Sequence, residues 1–322
     1  MKIIFKIFGS FFLAALVLIG FEVLLEFGLE HNRNFKISYI QRHPVKAELL
    51  VHGPCESEWM IDPAVLESYV PMHAYNLSLN HSDFADNYIF LTTYLKHQPK
   101  PKAVLLYVTP ESFDSTVANT FNTYRFAHLL SDKDVAAVVQ EMDPQYYQYA
   151  SMPFLKYAYY SNFTFYKAIS GWFDFFRKRT TPEWPNGYAA PAHSYDRAFK
   201  SFRDLNPKAG YFLWSAKREK YFRKIIELLK KEHIPLMVYE APVYHEALAY
   251  QKNRSSHIRR IDSICTAYNI ANFRFDTLSM RFNKDYYFST YNTTMAGNAI
   301  FNPYLGKFLR DTLPAVIQNH QQ

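Results

Sequence analysis

Between Gly28 and Gly171 the chain has one glycine, Gly53, and it follows the apolar run Ala47-Glu48-Leu49-Leu50-Val51 directly. A stretch with so little glycine has few places to turn sharply. The corner His52-Gly53-Pro54-Cys55-Glu56 therefore constrains the fold more than any other segment. A short apolar run that stops at a Gly-Pro corner reads as a buried strand ending in a tight turn. At the carboxyl ends of parallel strands, such corners are where α/β proteins present ligand-binding and reactive side chains. Cys55 is the residue so placed.

The rest of the chain alternates strand-like and helix-like segments. Apolar runs predict strands over Ala47–Val51, His73–Leu77, Val104–Val108, Leu236–Glu240 and Asn272–Phe275. Helical spacing predicts helices over Ala64–Tyr69, Phe84–His97, Lys217–Glu232, His257–Tyr268 and Met295–Leu309. In the third of these, Tyr221, Phe222, Ile225, Ile226, Leu228 and Leu229 recur at helical period between lysines and arginines, an amphipathic pattern. Alternation of this kind predicts an α/β fold with a mostly parallel sheet and helices on both faces, a three-layer α/β/α domain over residues 31–322. Residues 111–210 interrupt it without a strand-like run and are rich in aromatics, including Tyr146-Tyr147, Tyr157, Tyr159-Tyr160, Phe165-Tyr166, Trp172-Phe173 and Phe175-Phe176. The segment is too long for a structureless loop and is expected to be a helical insertion. Its aromatics are expected to serve packing, with a carbohydrate- or partner-binding face as the alternative.

The first 30 residues predict a membrane anchor. Lys2 and Lys6 precede a nearly uncharged apolar run from Ile7 to Leu25, broken only by Glu22. That length suits one bilayer crossing, and lysines on the short leading side favour a cytoplasmic N-terminus with the main domain extracytoplasmic. A cleaved signal peptide shares these features, but no small-x-small site follows the apolar run. The net charge of +7 arises from scattered basic residues, the densest being Arg177-Lys178-Arg179. That spread, on an outward-facing domain, argues against nucleic acid and suits an anionic membrane surface or acidic polysaccharide. Two cysteines, Cys55 and Cys265, leave disulfide pairing open, and neither His-x-x-x-His nor Cys-x-x-Cys occurs, so no metal or other cofactor is expected.

The Gly53-Pro54-Cys55 corner, the following Asn76-Leu77-Ser78, and the closing Phe288-Ser289-Thr290-Tyr291-Asn292-Thr293-Thr294-Met295-Ala296-Gly297 resemble the SGNH-hydrolase superfamily. More narrowly, the chain is similar to the membrane-anchored branch of teichoic-acid D-alanyl transfer and polysaccharide O-acetylation proteins. The resemblance covers roughly residues 44–114 and 232–310. It implies an SGNH/flavodoxin-like fold, a nucleophile at Cys55 where the family has serine, and partners such as a membrane-bound acyltransferase and an envelope polysaccharide. It also implies that Ser289 and Asn292 stand where the family has its acid and its histidine base. After Ser78 the chain reads Leu79-Asn80-His81-Ser82, without the family's oxyanion-hole glycine.

Ester chemistry of this type needs a nucleophile, a base, a group orienting the base, and oxyanion donors. Glu56 and Glu58 beside Cys55 work against a thiolate. His245, after the fourth strand, is the candidate replacement base, with Glu240 as its orienting acid; His52, His81, Asp276 and Asp285 are weaker candidates. Gly53, Pro54, Asn76, Asn80 and Glu240 are candidate binding residues. The reading is a catalytically degenerate SGNH-like protein that binds or scaffolds in cell-envelope or polysaccharide modification. The alternative is an active O-acyltransferase or esterase using Cys55, and an unrelated tethered interaction protein is the third class.

Overall fold

The computed structural model describes residues 2–116, 121–150, 152, 155–158, 162–191, 210–289 and 291–321. Its elements in chain order are α1 (Lys2–His31), α2 (Lys36–Arg42), β1 (Leu49–His52), α3 (Cys55–Met60), α4 (Pro63–Glu67), β2 (Ala74–Asn76), α5 (Phe84–His97), β3 (Ala103–Tyr107), α6 (Lys133–Met142), α7 (Pro144–Tyr149), α8 (Leu155–Ala158), α9 (Asn162–Phe176), α10 (Ala216–Lys231), β4 (Leu236–Glu240), α11 (His245–Tyr250), α12 (Arg254–Ala267), β5 (Ala271–Arg274) and α13 (Met295–Gln321). The chain divides into two compact units, one of residues 1–44 with 122–183, the other of residues 45–121 with 184–322.

The second unit is α/β. Its five strands form one sheet in the order β2-β1-β3-β4-β5, and every neighbouring pair is parallel. The connections leave β1 in one direction toward β2 and return past it to β3, so the switch point lies between β1 and β3. Strands β1 to β4 are buried along their whole length, which is why they read as continuous apolar runs rather than alternating ones. Edge strand β5 is half exposed, and its sequence is correspondingly mixed.

The helices of this unit follow their apolar stripes. Helix α5 opens with a reciprocal cap, Asp83 accepting from the Asp86 backbone while Asp86 accepts from that of Asp83. Helix α10 buries Tyr221, Phe222, Ile225, Ile226 and Leu229 and leaves its lysines outward. The last helix departs from the sequence expectation, since it runs on past Leu309 to Gln321 through Pro303 and Pro314. A proline inside a helix costs about 3 kcal/mol. Here Phe301, Leu305, Leu309 and Leu313, four residues apart, are all buried in the core and offset that penalty.

The first unit joins the N-terminal segment to the helical part of the 111–210 stretch. Residues 192–209 of that stretch, and the aromatics Tyr159-Tyr160, lie outside the described residues. Helix α1 contains a segment, Ile3–His31, long and apolar enough to cross a membrane. It crosses α9 at two glycines so closely that a Cβ on Gly171 would lie 1.7 Å from the Gly28 carbonyl oxygen, and one on Gly28 would lie 2.3 Å from that of Ala168. Trp172 Nε1 donates to the Leu24 carbonyl at 2.9 Å, Asn32 Nδ2 to that of Lys167 at 2.7 Å, and Arg33 pairs with Asp174 at 3.4 Å. Toward the middle of α1, Lys156 pairs with Glu22 at 2.5 Å and Glu26 at 2.8 Å, and Tyr157 Oη donates to Glu26 at 3.0 Å.

Candidate functional site

Strand β1, interior in the sheet, delivers the chain to the corner beside the switch point. Gly53 adopts a φ of +154°, and a Cβ there would lie 2.7 Å from Tyr107 Cβ and 3.1 Å from Ser57 Cβ, so only glycine fits. Pro54 is the extended N-cap of α3, and Cys55 is the first residue of that helix. Asn76, at the end of β2, locks the helix in place: its amide donates to the carbonyls of Ser57 at 2.8 Å and Ile61 at 2.9 Å, and its Oδ1 accepts from Ser78 N at 3.0 Å. Ser57 Oγ and Tyr239 Oη, 2.8 Å apart, tie α3 to β4.

Among the described residues, the Cys55 sulfur has two hydrogen-bond partners. Its S–H donates to Glu56 Oε2 at 3.3 Å, and it accepts from the backbone N–H of His81. His81 sits at φ +47°, a left-handed conformation that glycine adopts without cost. Cys55 is half-buried, and protein encloses its sulfur closely enough that desolvation dominates its titration. Burial first, then the charge of Glu56, push the thiol well above its ordinary value. The Glu56 carboxyl is itself raised by burial, though it gains from the Cys55 hydrogen bond. The sulfur is therefore held as a thiol.

Beside it lies a network that the sequence reading did not assemble. Gln251 Nε2 donates to Glu111 Oε1 and, at 2.8 Å, to Tyr291 Oη. Tyr291 in turn is hydrogen-bonded to Glu111, and burial with that nearby charge holds its phenol well above the usual value. Arg254, at the start of α12, donates to Gln251 Oε1 at 3.0 Å, Glu240 Oε1 at 2.5 Å and Asp276 Oδ2 at 3.0 Å. Burial lifts the Glu240 carboxyl to about 8, against the opposing pull of Arg254. The signal for this cluster was a glutamate at or just beyond the carboxyl end of β1, β3 and β4: Glu56, Glu111 and Glu240.

The other predicted residues fall elsewhere. His245 begins α11, where its Nδ1 lies 3.3 Å from the Arg281 carbonyl and its ring packs on Tyr244 and Phe282. Glu240 is engaged by Arg254, and the structure does not bring it to His245. His52 is buried, with Nε2 2.8 Å from the Asn87 carbonyl. Asp285 lies in a 3-10 turn before the closing motif. Asn80 is in the turn leading to His81. Ser289 and Asn292 do meet: Ser289 Oγ accepts from Asn292 N at 3.2 Å and from its Nδ2 at 2.9 Å. Neither is among the partners of the Cys55 sulfur, and Thr290 between them lies outside the described residues. Among the described residues, no three His, Cys, Asp or Glu side chains are placed to hold a metal ion. Cys55 and Cys265 are both free.

No protein-family model matches the chain, and no curated protein is significantly similar to it.

A thiol so held makes a weak nucleophile, since the thiolate is the attacking species. Iodoacetamide is expected to alkylate Cys55 at pH 7.5 much more slowly than a free cysteine. Glu56→Gln should speed the reaction, because it removes the carboxylate charge that disfavours the thiolate. Mass spectrometry of the labelled peptide gives the two rates; a slower rate in the variant would contradict this account.

Proposed function

We propose that this chain is a membrane-anchored, extracytoplasmic protein of three-layer, SGNH-like α/β/α architecture, catalytically degenerate, that binds or scaffolds during modification of a cell-envelope polysaccharide. Helix α1 is the anchor, and Lys2 and Lys6 ahead of its apolar run orient it with the N-terminus inside. The strand order and the Gly53-Pro54-Cys55 corner beside the switch point support the architecture. The left-handed His81, whose N–H reaches the corner sulfur, supports it as well, because the resemblance places an oxyanion-hole glycine in that turn.

One observation carries the degenerate reading. The side chain at the nucleophile position is bonded to a carboxylate, with no imidazole among its partners in the described residues, while the positions of the family's acid and base bond to each other as serine and asparagine. An asparagine cannot take a proton at neutral pH, and a serine cannot orient an imidazole that is absent. The alternative, an active acyltransferase using Cys55, draws on the placement of that residue at a helix start with a backbone N–H at its sulfur.

Hydrolysis of an activated acetyl ester separates the two. Wild type and Cys55→Ser are expected to show no turnover above buffer. The combined Cys55→Ser, Ser289→Asp, Asn292→His variant is the one expected to gain any, because triad members act as a unit. Wild-type turnover that disappears in Cys55→Ala would overturn the degenerate reading.

A further inference from the structure

Helix α9 carries an apolar stripe on the side away from α1. Tyr166, Ile169, Phe173 and Phe176 are spaced by three and four residues, so they share one helix face. They are 68%, 55%, 56% and 71% exposed. The opposite face, with Ala168 and Gly171, packs on α1, and Trp172 ties to its backbone. A water-facing helix reverses this pattern, placing charged residues outward. Four large apolar side chains in register on an outer face mark a contact surface.

We infer that this face of α9 lies in lipid, at the headgroup–acyl boundary of the leaflet where α1 ends. The inference rests on α1 being a membrane anchor, and from there it follows from depth. The segment Ile3–His31 has 29 residues, about 44 Å of helix at 1.5 Å per residue. That length fills the hydrocarbon core of roughly 30 Å and the interfacial layers beyond it. Glu22 lies inside the apolar run, and its charge is met there by Lys156 from α8. Lys156 therefore reaches the depth of Glu22. Helix α9 runs beside the same part of α1, with Phe165 near Phe21, Gly171 against Gly28 and Phe175 against His31. At that depth its outward stripe meets lipid.

Two further features fit an interfacial helix. Aromatic side chains favour the boundary layer, and Phe173 and Phe176 stand with Trp172 at the outer end of α9. The next residues, Arg177, Lys178 and Arg179, are exposed and positive. They are placed to meet anionic headgroups just beyond the apolar stripe, as in interfacial amphipathic helices.

Spin labels on the full chain, reconstituted in phosphatidylcholine vesicles containing phosphatidylglycerol, test this. With Cys55 and Cys265 replaced by serine, labels are placed singly at Ile169→Cys and Phe173→Cys, with Leu13→Cys as anchor control and Lys230→Cys as water control. Collisions with oxygen, which concentrates in lipid, are compared with those of a water-soluble nickel chelate. The two α9 labels are expected to show an oxygen-to-nickel ratio roughly tenfold above that of Lys230→Cys, as for an apolar face buried about 5–10 Å into the interface. If they match the water control while Leu13→Cys reads as lipid, the inference fails and the anchor stands. If Leu13→Cys also reads as water, both fail. Shielding of the α9 labels from both reagents would place a protein surface there, such as a second copy, and would also overturn the inference.

Discussion

Glu240→Gln is expected to gain stability relative to the wild type as the pH rises from about 5 to about 8, by on the order of 3–5 kcal/mol across that range. Glu240 is almost fully buried, and burial raises its carboxyl to about 8 in the folded chain, whereas an unfolded glutamate titrates near 4.3. Below the unfolded value both states hold the proton and the group has no effect on the pH dependence. Between the two values the unfolded chain releases its proton while the folded chain keeps it, so stability falls with rising pH and has been lost by about 8. Glutamine keeps the shape and an acceptor for Arg254 but has no proton to lose. The difference between the two denaturation curves isolates this carboxyl from every other titrating group. A pH-independent difference would show that Glu240 is ionised throughout.

Arg254→Met extends the same argument. It removes the donor shared by Gln251, Glu240 and Asp276, leaving buried polar groups unpartnered at any pH. Because Arg254 pulls the Glu240 carboxyl down, its loss raises that value further, and the gap from wild type should widen above pH 8 toward the 3–5 kcal/mol typical of a broken buried pair. Adding Glu240→Gln should remove the widening and leave the constant part.

The second large effect is expected at the helix crossing of the other unit. Gly171→Val sets a branched side chain where a single Cβ already falls 1.7 Å from the Gly28 carbonyl and 2.8 Å from Asn32 N. Both obstacles are backbone, so no rotamer relieves the clash and the helices must separate. Separation stretches the Trp172–Leu24, Asn32–Lys167 and Arg33–Asp174 contacts together. Overpacking alone costs about 1–3 kcal/mol, and the lost polar contacts add to it. In detergent or nanodiscs, the variant should melt earlier and be cut by protease in the connector at residues 180–184. Ser170→Val, one residue earlier in the helix and away from the crossing, controls for helix propensity. Equal behaviour of the two variants would mean that the crossing is looser than these distances require.

All five strands were legible in the sequence, β4 with both its ends and the others with ends displaced by at most two residues. The signal of β1 to β4 is local, because a strand buried on both faces reads as an apolar run. The path of α13 beyond Leu309 was not legible, since Pro314 argues locally for a stop and only the buried stripe that reaches Leu313 overrides it. The corner at Gly53 was readable for the same local reason. The network beside it was not, because Glu111, the Gln251–Arg254 pair and Tyr291 come from three separate stretches and only the sheet topology gathers them. Ser289 and Asn292 were matched through a motif, and their mutual hydrogen bond is a short-range turn.

The two units are interleaved along the chain, and this sets the order in which a ribosome can complete them. Lys156 follows Glu26 by 130 residues, so at about 5–20 residues per second Glu22 and Glu26 wait roughly 6–26 s for their cation. Meanwhile β1, β2 and β3 already exist, but β3 has no partner on its open side until Leu236–Glu240 is made. An unpaired strand edge and an unneutralised apolar helix thus coexist during synthesis. The helical unit has all its residues once Glu183 is made, well before β4. Chaperone dependence of the nascent chain should therefore end only once β4 has emerged, after the first unit is whole.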